Sequence, residues 1–506
     1  MDEYFEDLQS GRIQIRDKWQ FELKSELFPF SHLRNNVNTQ EFYFFVPNSL
    51  QINDQTYTKA QFYLDQTNLI RFKTPSFSFQ ELNDEDNTES PFVRILLICD
   101  LEQTKEHEEQ IEEEVKLLGN IFHSTIRNKV AALLTTLEGL SVDDSKEPFA
   151  KEIETFCHEL ETFRNLFKTV HAKCLAVWPA EILRTHFDYV DEFISINIGD
   201  YLSGFLHRLR LKFYQELNSV DHCLCDLILR EKKYREAKFK EPVHLTHDHD
   251  KDEYLLYRKG LLNKFIIDPL LLKTNRAPID QRFRTFILGI PAALAMLIFM
   301  ILYVWQGNLF LINSEPFVVL TVILYVLKDR MKEELRLLSY RQAAKWFSDY
   351  TTEIKGPNNG LVLGLVGESF SFVDESQVPN DIVQIRNREF HDILEEVKRP
   401  ERIIYYKKTV NIKKKPKKIE ARFYGFSIIF RFDIHHFLTK AEDPFQTALS
   451  LDPEALTLRR VQLPRVYHLN VIIKNSMMMP EGDMRVELKK FRLIIDKNGI
   501  KRVESF

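Results

Sequence analysis

The sequence predicts a membrane protein of mixed α and β class. An N-terminal β-containing module leads to a helical bundle with a coiled-coil-like hairpin, then a two-helix transmembrane hairpin and a β-rich C-terminal domain. Three observations predict this: an uncharged apolar run at 285–305, a heptad-like stripe at 149–177, and aromatic, β-branched runs near both ends of the chain. The 506 residues suffice for several domains, and 44% apolar with 28% charged residues excludes a wholly disordered chain. A net charge of −5 carries no signature of a nucleic-acid binder. Fifteen glycines leave little room for phosphate-cradling loops, and 40 phenylalanines point to cores built on large side chains.

Residues 1–90 form the β-containing module. Glu41 to Val46 ends at Pro47-Asn48-Ser49 and Leu69 to Lys73 ends at Thr74-Pro75, both short-strand signatures. The acidic N-terminus, Met1-Asp-Glu-Tyr, has no apolar run, so no cleavable secretory signal is expected. The polar stretch 81–90 reads as a linker. Residues 91–280 then turn helical. Ile111, Val115, Leu118, Phe122, Ile126, Val130, Leu133 and Leu137 form one apolar stripe. Phe149, Ile153, Phe156, Leu160, Phe163, Phe167, Val170, Cys174 and Val177 alternate spacings of four and three, a 3.5-residue repeat. Its bulky seam favours an antiparallel pairing of 102–138 with 146–178 inside a larger bundle, with self-association or a protein partner through 102–178 as the other use of this surface.

The run 285–305 spans about 31 Å as a helix, matching a hydrocarbon core of about 30 Å. A second apolar run, Phe317 to Leu327, extends back to Leu309 to give a second span, 309–327, or else a re-entrant segment. Lys273, Arg276, Arg282 and Arg284 precede the first span, and Lys328, Arg330, Lys332, Arg336 and Arg341 follow the second. The connection 306–316 has neither Lys nor Arg, so the positive-inside rule puts both termini in the cytoplasm. A juxtamembrane helix, 328–355, continues from the second span. Residues 356–506 form the β-rich cytosolic domain, with one helix near 381–397 and a tight hairpin at Asn498-Gly499.

Motifs for chemistry are weak. His244-Leu-Thr-His247-Asp248-His249-Asp250, with Asp252 and Glu253 nearby, offers imidazoles and carboxylates but matches no metallohydrolase spacing. It reads as a solvated loop, so no metal and no cofactor are expected. Gly356, Gly360, Gly364 and Gly367 end in Glu368-Ser369 without the lysine of a phosphate-binding loop, and turn geometry is expected of them. There is no Gly-x-Ser-x-Gly elbow. Five scattered cysteines make a poor disulfide framework and read as reduced core thiols.

Lys407, Lys408, Lys413, Lys414, Lys415, Lys417 and Lys418 form a basic run, read as an exposed hairpin loop. Within it Lys413, Lys414, Lys415, Lys417 and Lys418 are the candidates for contact with anionic lipid headgroups, each contributing about 1 kcal/mol near such a surface. Arg230 to Lys240 reads as an exposed basic helix face, and the glutamates of 102–114 as helix-end stabilisation or an acidic docking face. No aromatic platform accompanies the lysines, so no nucleic acid is expected. The expected function is a membrane-anchored, cytosol-facing scaffold or signalling protein without enzymatic activity. The alternatives are a membrane-bound enzyme assembled around His244 to Asp250 and a pore-forming effector.

Overall fold

Aromatic and β-branched runs near the two ends of the chain fold as strands, and the stretch between them folds as helices. The structure is a computed structural model. It describes all residues except 1–12, 31–32, 34, 142–145, 214–217, 240–248, 279–280, 310–313, 347, 357–359, 389–400, 414–424, 452–456 and 480–482. In chain order the first elements are β1 (Ile13–Ile15), β2 (Gln20–Leu27), β3 (Asn35–Pro47), α1 (Lys59–Asp65) and β4 (Gln66–Phe72). The helices α2 (Phe79–Asn83), α3 (Pro91–Cys99), α4 (Lys105–Gly139), α5 (Glu147–Val177), α6 (Glu181–Lys212), α7 (Asn218–Phe239) and α8 (His249–Ile267) follow. Next come β5 (Lys273–Pro278), α9 (Gln281–Leu309), α10 (Glu315–Trp346), β6 (Tyr350–Lys355), β7 (Val362–Val373), α11 (Asn380–Arg386) and β8 (Glu401–Lys413). The remaining strands are β9 (Phe426–Asp433), β10 (Phe445–Leu451), β11 (Leu458–Pro464), β12 (Tyr467–Met478), β13 (Met484–Asp496) and β14 (Gly499–Ser505).

The two ends of the chain share their sheets. A large antiparallel sheet runs β14-β13-β12-β3-β8-β7-β6-β5, and a smaller one β1-β2-β9-β4. β3 is central: Phe42 pairs with Tyr406 of β8 on one side and Ile473 of β12 on the other. β9 lies between β2 and β4 in the same way. The strands of residues 1–90 therefore do not form a module apart from those of 356–506. Each run is too short to cover its own apolar face, and each finds its partner far along the chain. The phenylalanines fill the space between the sheets, where Phe42 meets Phe430 at 4.5 Å and Phe62 meets Phe370 at 4.5 Å between ring centroids. The stretch 81–90 is more than a linker. Ser78 and Glu81 close a capping box that starts α2, and Phe79 and Leu82 are buried.

The helices build a second core continuous with the base of the sheets. Every seam residue of α5 from Phe149 to Cys174 is buried. The seam does not face one antiparallel partner. Phe163 meets Phe79 of α2, Phe92 of α3 and Phe122 of α4 with centroids 6.2, 5.1 and 4.6 Å away, while Phe167 meets Phe187 of α6 at 6.1 Å. A 3.5-residue stripe of large rings thus serves several neighbours in a globular bundle.

α9 and α10 form a hairpin that leaves the large sheet at its β5–β6 edge, where Pro278 and Tyr350 are register partners. Among the described residues only α9, over Gly289–Gly307, is long and apolar enough to cross a membrane, and just 17% of that window is buried. At the tip the buried Gln306 side-chain amide donates to the Phe317 carbonyl at 2.6 Å and to Thr321 Oγ1 at 3.0 Å. Further down, the Lys328 ammonium lies 3.8 Å from the Tyr325 ring centroid and 5.8 Å from that of Phe299.

Candidate functional site

A cleft of about 710 Å³ opens between the smaller sheet and the helical bundle, lined by β1, β2, β4 and β9 on one wall and α4, α6 and α8 on the other. That volume falls in the range of small-molecule sites. Charged residues reach it because alternate strand residues point away from the aromatic interlayer: Glu22 and Lys24 on β2, Arg71 on β4 and Arg431 on β9. Arg127 and His123 come from α4, Asp200 and Tyr201 from α6, and Lys259 from α8. Leu271, the residue after a short 3₁₀ turn, bridges to Arg71 and stands 42% exposed at the mouth.

Most of these charges are paired. Glu22 receives Arg431, with Lys24 at 3.5 Å and Arg16 at 3.8 Å. Lys259 pairs with Asp200, and Tyr201 hydrogen-bonds His123 at 3.1 Å. Arg71 and Arg127 differ. The Nε of each is buried and donates to no acceptor among the described residues. Burial, then the nearby charge of Arg127, disfavour the Arg71 cation, with Glu22 acting against them. Two guanidiniums thus share a partly desolvated space in which like charge disfavours the Arg71 cation.

A second polar cluster has no such vacancy for charge. Glu368, 3% exposed, accepts from Tyr406 at 2.6 Å, Asn68 at 2.5 Å and Gln66 at 3.0 Å, and Arg276 lies 3.3 Å away. Lys408 is fully buried beside it and donates to Asn68 at 2.9 Å. In the bundle, Arg164 is held bidentately by Glu231 at 2.9 and 3.1 Å and by Asp191 at 2.6 Å. These networks tie elements together.

The sequence-derived candidates fall in scattered places. Lys413 is the exposed last residue of β8, while Lys414, Lys415, Lys417 and Lys418 lie outside the described residues. Register sets Lys413 level with the Lys355 end of β6, opposite the end where α9 and α10 leave. A headgroup contact by Lys413 has to reach back along about 17 Å of strand. Lys408, read as part of an exposed loop, is instead an interior strand residue, because β8 continues through it with alternate residues buried. Of the stretch read as an exposed face, Arg235 turns inward and donates to the Ser195 carbonyl at 2.8 Å, while Lys238 stays exposed and pairs with Asp188 at 2.7 Å and Asp191 at 2.8 Å.

Gly364 and Gly367 sit in strand β7 rather than a turn. A Cβ at Gly364 would come 2.5 Å from the Asn411 carbonyl oxygen, so close strand approach is what this position requires. His244 and His247 lie outside the described residues, and among the described ones no three His, Cys, Asp or Glu side chains gather as a metal set. Sequence reading missed the cleft because its charges come one or two per element from six elements. The cation in the LIRFK strand was its only local trace. No known protein family, curated protein or solved structure matches the chain.

Proposed function

We propose that this is a membrane-anchored binding protein whose α9–α10 hairpin crosses the bilayer twice and holds the α/β body, with both termini, at the cytosolic face. The observation that carries the reading is the exposed apolar surface of the hairpin: Leu297, Ile301, Val304 and Trp305 of α9 and Val319, Val322, Ile323 and Val326 of α10 all face outward. An aqueous hairpin with that much contiguous apolar surface is unstable against aggregation, and lipid is the medium that suits it. The lysine and arginine excess at its base supports the orientation.

Depth follows from the charges. Glu315 to Lys328 covers about 20 Å of helix against a hydrocarbon core of about 30 Å. With the tip at the far interface, Lys328 and Asp329 are the charges left below the near one, and they pair at 3.3 Å. A shallower hairpin would leave Glu315 near the bilayer centre, at about 2.5–3.5 kcal/mol for an unpaired charge. Two crossings with local thinning are the cheaper arrangement. Scaffold activity then belongs to the body. Exposed Glu102, Glu106 and Glu109 beside the start of α4 support contact with a basic protein partner. Alkaline carbonate extraction of membranes tests the anchor: the protein stays in the pellet, and release into the supernatant rules the reading out.

A further inference from the structure

The cleft offers six cationic side chains, Arg16, Lys24, Arg71, Arg127, Lys259 and Arg431, against the carboxylates of Glu22 and Asp200. We propose that it binds a phosphate-bearing ligand whose phosphoryl oxygens sit between the guanidiniums of Arg71 and Arg127. In the helical bundle the buried Arg164 makes one carboxylate hydrogen bond from each of its three guanidinium nitrogens, its Nε included. Leaving two buried Nε donors without acceptors in one cleft is costly for folding alone, because each is desolvated and the two cations repel. An anion between them removes both penalties.

The anion is a phosphate rather than a simple carboxylate. The lining has a surplus of four positive charges, counting six cations against two carboxylates. A monocarboxylate compensates one of them with two oxygens. A phosphomonoester brings nearly two negative charges and three terminal oxygens, enough for two guanidinium forks at once. The volume exceeds a phosphate alone, and Leu69, Phe193, Ile266 and Ile429 supply apolar wall for an organic portion. Such chemistry belongs both to soluble organic phosphates and to phosphoinositide headgroups. The geometry favours the soluble source, since β5 puts about 20 Å of strand between the Leu271 mouth and the hairpin. The inference stands independently of the anchor, because Arg71 and Arg127 belong to β4 and α4.

Calorimetric titration of the full chain in detergent tests it, with pyrophosphate, inositol trisphosphate and dioctanoyl phosphatidylinositol bisphosphate as probes. At least one binds the wild type, and Arg71→Met and Arg127→Met each weaken it about ten- to a hundredfold. Arg230→Met, which removes an exposed cation on α7, leaves binding unchanged. Equal binding of headgroup and lipid identifies a soluble ligand; binding of the dioctanoyl form alone identifies the lipid as the source of the phosphate. Without ligand, Arg71→Met and Arg127→Met melt above the wild type, since each relieves repulsion. Failure of all three probes overturns the proposal, as does equal weakening by Arg230→Met or a lowered melting temperature in both arginine variants. None of these results depends on carbonate extraction.

Discussion

Lys408 is a cation enclosed among β-sheet side chains, and its environment makes stability depend on pH. Burial pushes its ammonium down to about 8 from an ordinary 10.5, with the Glu368 carboxylate pulling the other way. Between those values the unfolded chain binds more proton than the folded one, so this group's contribution to stability rises with pH across the window. Below pH 8 the whole cost of the buried charge is present, about 3 kcal/mol. The urea midpoint of the wild type should climb from pH 8 to pH 9.5, and Lys408→Met should flatten that climb. An equal slope in both proteins would mean the ammonium is not desolvated. At Gly499 the backbone has φ +129°, and an added Cβ would stand 2.0 Å from the Lys18 carbonyl oxygen, which accepts from the Ile500 amide at 2.7 Å. Gly499→Ala should therefore cost at least about 2 kcal/mol in chemical denaturation.

Among elements, α5 shows how a repeat can be read correctly as periodicity and still name only one of several partners. Its rings are buried at the expected spacing, yet Phe163 sits among rings from three other helices. Phe163→Ala should destabilise the protein by about 3–5 kcal/mol, the range for losing a packed ring. The exposed Lys173→Ala on the same helix should change the denaturation midpoint little. The same helix brings Cys174 Sγ within 3.0 Å of Cys99 Sγ on α3, a pairing no sequence spacing announces. Treatment of the folded protein with diamide should cross-link these two thiols, and peptide mapping after digestion should recover a 99–174 disulfide that Cys174→Ala abolishes.

For the whole molecule, the interleaving of distant strands makes the β body one cooperative unit. A fragment ending at residue 355 keeps β2, β3 and β4 but loses β8, β9 and β12, the strands they pair with. It should be insoluble or rapidly degraded by limited proteolysis, and co-expression with 356–506 should restore a resistant complex. The hairpin emerges from the β5–β6 edge of this same sheet. The hairpin therefore adjoins two hydrogen-bonded strands of the body, with Pro278 and Tyr350 paired at its base.

Local chemistry determined much of this protein by itself. The apolar run of α9, the buried stripes of α4 and α5, the strands at 41–46 and 69–73 and the hairpin before Gly499 all rest on side-chain periods and turn residues within a few positions of one another. Only the tertiary structure decided that Phe42 of β3 lies between Tyr406 and Ile473, that Lys408 is interior, and that the buried Nε donors of Arg71 and Arg127 come to line one cleft. Pairing between strands hundreds of residues apart is set by burying shared apolar faces, and a single strand carries no mark of which neighbour will cover it. A cleft assembled from one or two charges per element is invisible for the same reason: its electrostatics exist only once the walls meet.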